Sequence, residues 1–276
     1  MKAKDQWLVS DELWKRIEPL LPPHVPKPHP LGCHKRRVPN RMALNGIFFV
    51  LRTGAPWKSL DVTGICSGST AHARFQEWER AGVFARLWEE ALKGYDELKG
   101  LDWKWLSMDG AMTKAPLGGG KTGRNPTGRG KLGAKRSLPT DAAGVPVGLA
   151  IGGANRNDMK LVGETLESIP GGIAAKRGKT RGRQGLCMDK GYDFEEILRL
   201  VHGFGFTAHI RARGEEARAV KKKAGFKARR RVVERTHSWM NRFRRILVRW
   251  EKKAQNYLAP LHFTCACIIY HACLFG

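Results

Sequence analysis

The chain contains 276 residues, of which 42% are hydrophobic, so it can bury the cores of one large domain and a smaller one. This content excludes a disordered chain. Its 50 Lys and Arg residues against 25 Asp and Glu give a formal charge of +25 at pH 7. An excess of this size indicates a polyanionic partner, and nucleic acid is favoured over an anionic membrane because no basic amphipathic helix stands out.

The beginning of the chain lacks the apolar run of a secretory signal, so we expect a cytoplasmic protein. Its six cysteines do not have the spacing of a disulfide framework. The apolar segment 257–276 predicts a buried helix, because Pro260 and several polar residues argue against a membrane span. A zinc site is the alternative for five residues of this segment, although no Cys-x-x-Cys pair is present: His262, Cys265, Cys267, His271 and Cys273.

Residues 1–99 predict a small helical, DNA-binding domain. Apolar spacing predicts a first helix over residues 5–21 that ends at Pro22-Pro23, and the proline-rich, basic residues 22–39 predict an extended arm that could follow a DNA backbone. Three helices are expected between residues 40 and 92, the second capped by Ser69 or Thr70. A helix-turn-helix module and an ordinary helical bundle are both compatible with this pattern.

Residues 100–276 predict an α/β domain with a mixed sheet flanked by helices, because strands alternate with single helices. A helix is expected around residues 161–169, another begins near Asp193, and a helical region closes the chain. The predicted strands are residues 103–109, 134–138, 145–151, 185–188 and 206–211.

Residues 118–131 form a basic, glycine-rich loop. The run G-G-G-K-T suggests a phosphate cradle, but the first glycine of a P-loop is absent from its required place, which argues against nucleotide hydrolysis. A flexible loop that contacts the DNA backbone and a solvated hairpin connection are the two interpretations that remain.

Two aspartates each follow an apolar strand. Asp109 closes W-L-S-M-D, although a hairpin turn at Asp109-Gly110 is the alternative, and Asp189 follows L-C-M. We expect Asp193 to cap the next helix together with Glu196, in a capping box. Asp189 has no such local role in the sequence, so a carboxylate there needs a partner or a metal to offset its desolvation.

A third carboxylate is expected from a helix that packs on the sheet. Glu234 lies beside the apolar face of a predicted helix, and Asn241 follows seven residues later on the same side. Glu234 alone would be interpreted as a surface acid. Together with Asp109 and Asp189, it completes the ligands that two oxygen-preferring cations need, about 3.5 to 4 Å apart, to cleave a phosphodiester.

These motifs resemble the DDE transposases of bacterial insertion sequences, specifically the insertion sequence 5 family, which is related to the insertion sequence 4 superfamily. Two motifs are M-D-G at Asp109 and M-D-K-G-Y-D at Asp189; the third is R-x-x-x-E-R-T-x-x-W-x-N-R-F-R-R around Glu234. The early run L-V-S-D-E-L-W-K-R-I-E-P-L-L-P-P and the later A-N-R-N-D extend the resemblance nearly end to end. Lys227 stands where the related signature has tyrosine.

The resemblance implies a ribonuclease-H-like catalytic domain and dependence on Mg²⁺, with Mn²⁺ as a substitute. It implies binding of terminal inverted repeats, DNA cleavage and strand transfer. Asp109, Asp189 and Glu234 would be the catalytic metal ligands, and Arg230 and Asn241 would hold phosphate or order those ligands.

Double-stranded DNA is the expected partner, bound by a homodimer because two element ends must be handled together. Two rival functions stay open on the sequence: a catalytically inert DNA-binding regulator, and a nuclease of the same fold that cuts without joining. The expected DNA contacts are Arg36, Arg37, His72, Arg74, Lys121, Arg124, Lys131, Lys135, Arg242 and Arg245.

Overall fold

A computed structural model of the protein describes residues 7–24, 37–177, 184–210, 229 and 231–275. Most of the predicted basic arm, residues 25–36, therefore lies outside the described residues, as do Arg230 and Lys227.

Four helices form the amino-terminal part: α1 (Asp11–Ile17), α2 (Asn40–Thr53), α3 (Gly68–Arg80) and α4 (Val83–Leu98). The Ser10 hydroxyl accepts a hydrogen bond from the Leu13 N–H and begins α1 as the sequence indicates. Gly54, at a φ of 73°, ends α2 in the left-handed conformation that favours glycine. The cap of α3 is Ser67, two residues before the first predicted candidate, and its hydroxyl accepts from the Thr70 N–H.

The second part contains six strands in one mixed sheet: β1 (Trp105–Lys114), β2 (Gly123–Arg124), β3 (Leu132–Thr140), β4 (Ala150–Gly153), β5 (Gln184–Met188) and β6 (Phe206–Ile210). β3 pairs antiparallel with β1, β2 and β4, whereas β5 runs parallel to both β1 and β6. The order β4-β3-β1-β5-β6, with three antiparallel strands followed by parallel additions, is the ribonuclease-H-like arrangement that the sequence predicts.

Helices flank this sheet: α5 (Val162–Glu167), α6 (Gly171–Arg177), α7 (Glu195–Gly203), α8 (Arg231–Met240) and α9 (Ala254–Phe275). α8 packs on β1 and β3, while α9 packs along α4 and so joins the amino-terminal helices to the sheet. The buried apolar residues of both parts form one continuous core.

The carboxy-terminal segment is a core helix. Cys265 and Phe263 of α9 are buried, and Pro260 lies inside the helix. Burial raises the pKa of the Cys265 thiol, which disfavours a metal-binding thiolate there. Among the helices that the structure describes, none is both long enough and apolar enough to span a membrane.

Three elements differ from the sequence prediction. β1 continues through Asp109 to Lys114, because β3 pairs with it along that whole length, so Asp109 neither ends the strand nor forms a hairpin turn. β4 begins only at Ala150. α8 ends at Met240, so Asn241 follows the helix and does not lie on it.

The buried face of α8 also differs from the predicted one. It consists of Val233, Thr236, His237 and Met240, because the chain after the helix turns away through a short 3-10 segment, Arg244–Leu247. The predicted apolar face had extended the helical spacing through this segment, with Val232, Trp239, Phe243, Ile246, Leu247 and Trp250.

The glycine-rich loop is fixed to the protein by Arg249, a fully buried side chain. Arg249 donates to the backbone carbonyls of Gly120 at 2.6 Å and Lys121 at 3.1 Å. The Gly120 N–H in turn donates to the Lys252 carbonyl at 3.1 Å. The loop is therefore an anchored hairpin connection between β1 and β3, and the expectation of a flexible loop is wrong in this part.

Two neighbouring glycines test this anchoring. A Cβ at Gly119 would lie 2.1 Å from the Lys252 carbonyl oxygen, at a φ of +109°, whereas a Cβ at Gly120 would meet nothing within 4 Å. We expect Gly119→Ala to lower the free energy of unfolding by about 2 kcal/mol or more, and Gly120→Ala to change it by less than about 0.5 kcal/mol. Urea unfolding of both variants measures this difference, and equal effects would show that the loop is not held as described.

Candidate active site

The register of β1 and β5 places two predicted carboxylates side by side. The strands run parallel with Ser107 opposite Cys187. Because the pairing advances by equal steps, Asp109 and Asp189 lie level with each other two residues further along. Asp189 directly follows the last residue of β5, at the carboxyl edge where open α/β sheets bind their ligands.

Asp189, and not Asp193, is the aspartate that caps a turn. The Asp189 carboxylate accepts a hydrogen bond from the Gly191 N–H at 2.8 Å and caps a 3-10 turn, Lys190–Tyr192. Phe194 is the cap residue of α7, and its side chain makes no capping hydrogen bond. The predicted Asp193 cap was wrong because α7 begins at Glu195, one residue later than that cap requires.

Three contacts dock α8, and with it Glu234, against the sheet. The Thr236 hydroxyl donates to the Gly144 carbonyl at 2.8 Å, and the Arg235 guanidinium donates to the Ala143 carbonyl at 2.8 Å. His237 Nε2 lies 3.4 Å from the Asp109 carbonyl oxygen. Since Glu234 precedes His237 by three residues, the two side chains project from one side of the helix, near Asp109.

His237 is held neutral between two partners. Its pKa is lowered to about 3, first by burial and then by the charge of Arg136. The Arg136 Nε–H donates to His237 Nδ1 at 3.4 Å, so the proton of the neutral ring resides on Nε2 and is donated to the Asp109 carbonyl. Arg136 also donates to the Asn241 side-chain oxygen at 2.6 Å.

Arg136 thus connects β3 to His237 of α8 and to Asn241 directly after that helix. No role was predicted for Arg136 from the sequence. The available signal was a basic residue inside a strand expected to be buried. His237 was also missed, although its position three residues after Glu234 marks the same helix face. Asn241 contacts Arg136, and its supporting role stays a prediction.

Asp109 lies in a crowded negative environment. Its pKa is raised to about 6, chiefly by burial and then by the charges of Asp158, Asp189 and Glu234, while the hydrogen bond from the Gly110 N–H lowers it. The structure therefore brings the three predicted carboxylates within electrostatic range of one another. It adds a fourth, Asp158, which belongs to the A-N-R-N-D motif but had no predicted role.

Three of these carboxylates, those of Asp109, Asp158 and Asp189, lie in an open cleft of about 400 Å³, whose other lining residues are Asn157, Lys190, Gly191, Tyr192 and Phe194. Hard carboxylate oxygens are the donors that Mg²⁺ and Mn²⁺ prefer, and a divalent cation would offset the repulsion around Asp109. Within the described ranges, no three His, Cys, Asp or Glu side chains converge closely enough to hold a metal ion. The cleft carboxylates fit a divalent cation in their chemistry, whereas Glu234, the third predicted ligand, is exposed and does not line the cleft.

Three predicted DNA contacts form ion pairs with carboxylates of the protein: Arg74 pairs with Glu77 at 3.3 Å, Lys135 with Asp158 at 3.0 Å, and Arg245 with Glu251 at 2.6 Å. Arg74 and Lys135 are also buried, with 5% and 6% of their surface exposed. Their contacts with DNA stay predictions.

The other predicted DNA contacts are more accessible. His72, Arg124, Lys131 and Arg242 are exposed. Lys121 pairs with Glu164 at 2.9 Å and Arg37 with Glu77 at 2.8 Å, each at the surface or partly exposed. Arg36 and Arg230 lie outside the described residues, so their roles remain predictions.

Two family models match most of the chain. Residues 9–88 match "Putative transposase of IS4/5 family", and residues 101–268 match "Transposase DDE domain". A relative from Burkholderia cepacia, "Putative transposase for insertion sequence element IS402", is 36% identical over 152 residues, which are 55% of this chain and 69% of that protein. "Insertion element IS402 uncharacterized 16.2 kDa protein", from the same organism, is 38% identical over 120 residues, which are 43% of this chain and 81% of that protein.

Solved transposase structures show a weaker likeness. "Crystal structure of the catalytic domain of Mos1 mariner transposase" has 8% identity and a TM-score of 0.30, over 67% of this chain and 91% of that one. "Mos1 transposase paired-end complex with left transposon end" has 12% identity and a TM-score of 0.31, over 89% of this chain and 82% of that one. Scores this low carry no argument, and the fold assignment rests on the sheet topology.

The raised pKa of Asp109 predicts a stability cost. In the unfolded chain this carboxyl ionises near pH 4, but in the folded protein it ionises near pH 6. The folded state therefore binds more protons between these values, so the free energy of unfolding falls as pH rises from about 4 to about 6 and stays lower above that. We expect Asp109→Asn to be more stable than the unaltered chain at pH 7.5 by on the order of 1–3 kcal/mol.

Urea unfolding in EDTA at pH 4.5 and 7.5 measures this difference. Asp193→Asn is the matched control, since Asp193 is exposed and does not cap α7. The gain in stability for Asp109→Asn should be small at pH 4.5 and large at pH 7.5. A gain in stability of the same size at both pH values would contradict the raised pKa of the buried Asp109 carboxyl.

Proposed function

The chain belongs to the DDE transposase family, and from that premise we propose that it is the metal-dependent transposase of an insertion sequence. It binds the terminal inverted repeats of its element, cleaves the DNA there and joins the exposed ends to target DNA. The observation that supports this proposal is that Asp109 and Asp189 line one solvent-accessible cleft, while Glu234 lies within electrostatic range of Asp109.

Asp109, Asp189 and Glu234 would hold two Mg²⁺ ions, with Mn²⁺ as a substitute. Bound divalent cations lower the pKa of water and stabilise the charge on the leaving oxygen of a phosphodiester. The pairing of β1 with β5 supports a fixed spacing of the two aspartates, while Arg136 of β3 and the Asp109 carbonyl of β1 hold His237 of α8, the helix that bears Glu234.

His237 has a positioning role in this mechanism. Both ring nitrogens are engaged, one by Arg136 and the other by the Asp109 carbonyl, and the pKa near 3 keeps the ring neutral. It therefore holds the peptide of Asp109 at a constant distance from the helix that bears Glu234, and it does not transfer protons at neutral pH.

Double-stranded DNA, from the element ends and the target, is the proposed partner. A formal charge of +25 supports strong binding to phosphate, and the exposed Arg124 and Lys131 lie on a loop that Arg249 anchors. We assign phosphate contacts to these two residues, to Lys121 and to Arg242. Residues 40–95 with the basic arm, including Arg37 and His72, would recognise the repeats.

A homodimer on DNA is proposed because two ends must be cut and joined together. The corresponding place of action is the bacterial cytoplasm, where the chromosomal substrate lies. Both statements depend on the transposase assignment.

A plasmid that carries a marker between the ends of the native element tests the function. With Mg²⁺, we expect cuts at the element ends and joined products whose junctions can be sequenced, and with EDTA we expect neither. Glu234→Gln should lower the yield of both by at least about 100-fold, because a metal ligand contributes several kcal/mol to the barrier. Glu195→Gln, which removes an exposed acid of α7, should leave the yield within about twofold.

The other outcomes discriminate between the rival functions. End binding without cleavage would support the inert regulator, and cleavage without joining would support the nuclease. Equal activity of the Glu234→Gln and Glu195→Gln variants would remove Glu234 from the site.

A further inference from the structure

Asp158 is fixed beside Asp109 by residues of neighbouring strands. It opens a 3-10 turn, Asp158–Leu161, directly after β4. Lys135 of β3 holds one of its carboxylate oxygens, Oδ2, at 3.0 Å, and the same ammonium donates to the Arg156 carbonyl at 2.9 Å. Because the Lys135 side chain is only 8% exposed, this pair is a fixed feature of the cleft and not a surface ion pair.

The carboxylate also fits closely against the backbone of β1. A Cβ at Gly110 would lie 2.2 Å from Asp158 Oδ1 and 3.2 Å from its Cγ. Gly110 has no positive φ, so space, and not backbone conformation, is what requires glycine at this position. The absence of a side chain at Gly110 therefore allows a carboxylate to approach the strand directly beside Asp109.

Two buried polar atoms of this cleft lack a hydrogen-bond partner within the described part of the chain. They are Asp158 Oδ1 and the hydroxyl of Tyr192, a residue that is 1% exposed. Both residues line the cleft that Asp109 and Asp189 share. Buried polar groups nearly always have partners, so these two atoms on one cleft are available to a ligand that enters it.

The relative influence of the neighbouring charges on the pKa values of Asp109 and Tyr192 also favours Asp158. Among the carboxylates that raise the pKa of Asp109, Asp158 has the largest influence, ahead of Asp189 and Glu234. The same carboxylate leads the charges that raise the pKa of Tyr192, after burial. Of the acids near Asp109, Asp158 is thus the one most strongly coupled to it.

We propose that Asp158 is a fourth carboxylate ligand of the divalent cations, binding through its Oδ1 atom beside Asp109, an inference that rests on the proposed function. Lys135 offsets part of its charge through the other oxygen, Oδ2, while the close fit against Gly110 keeps the carboxylate beside Asp109. When ionised, the four carboxylates and Lys135 carry a net charge of −3, which two divalent cations and one phosphodiester group balance. The Tyr192 hydroxyl lines the same cleft and would donate a hydrogen bond to a carboxylate of the site.

Binding of Mn²⁺ to the full chain without DNA, followed by electron paramagnetic resonance of the free ion, tests the proposal. Asp158→Asn should weaken binding ~10- to 100-fold, as loss of a coordinating or orienting carboxylate does. Lys135→Met breaks the same ion pair but leaves the carboxylate with more negative charge, so it should bind Mn²⁺ at least as tightly as the unaltered chain. A purely structural ion pair predicts equal weakening by both variants, and that result would overturn the proposal.

Gly110→Ala provides a second test that keeps every charge. The added methyl group occupies the place of Asp158 Oδ1, so binding should fall as it does for Asp158→Asn, while circular dichroism reports whether each variant is folded. Full binding by folded Gly110→Ala would also overturn the proposal. Glu195→Gln serves as the charge control and should bind normally.

The Asp109→Asn variant distinguishes failure of the fourth-ligand inference from failure of the proposed function. If Asp109→Asn weakens binding and Asp158→Asn does not, the fourth-ligand inference fails and the proposed function stands. If the unaltered chain does not bind Mn²⁺, or Asp109→Asn leaves binding unchanged, the proposed function fails together with the inference.

Discussion

Repulsion among carboxylates in a partly desolvated cleft is the constraint on which the rest of the structure depends. Asp109 is kept beside Asp158, Asp189 and Glu234 although every one of them makes its ionised form less stable. Such an arrangement persists only if surrounding contacts hold it. The strand pairing, the Lys135 pair and the Arg136–His237 contacts supply that restraint from three sides. Strain of this kind is common where a site is shaped for a ligand that is absent.

The same constraint explains where basic side chains are used. Many of the basic residues stay exposed and give the chain its excess positive charge, which suits a phosphate backbone. A few are directed inward, where Lys135 offsets Asp158 and Arg249 holds the loop that bears Arg124 and Lys131. A negative cleft within a positive surface can bring DNA close, but the cleft itself repels phosphate until divalent cations bind. Under the proposed function, metal binding and DNA cleavage are coupled in this way.

Local sequence patterns predicted most of the helices and strands, but they did not predict which side chains contact one another across the fold. β1, β5 and β6 follow from apolar runs, and Asp109, Asp189 and Glu234 follow from short motifs, since each signal lies within a few residues. Asp158, Arg136 and His237 were not assigned, because their significance arises from contacts across more than 20 residues of sequence. Exposure is likewise a tertiary property, which is why the burial of Arg74 and Lys135 could not be predicted from the sequence. The helix α7 begins one residue later than predicted, so Asp193 does not cap it.

The central claim is that these carboxylates meet around divalent cations, and anomalous X-ray diffraction from crystals soaked in Mn²⁺ tests it most directly. The account predicts an anomalous difference peak in the cleft within coordination distance of Asp109, Asp189 and Glu234, with the Glu234 side chain turned inward. A well-ordered, accessible cleft without a peak at saturating Mn²⁺, or a peak that only other residues contact, would contradict it.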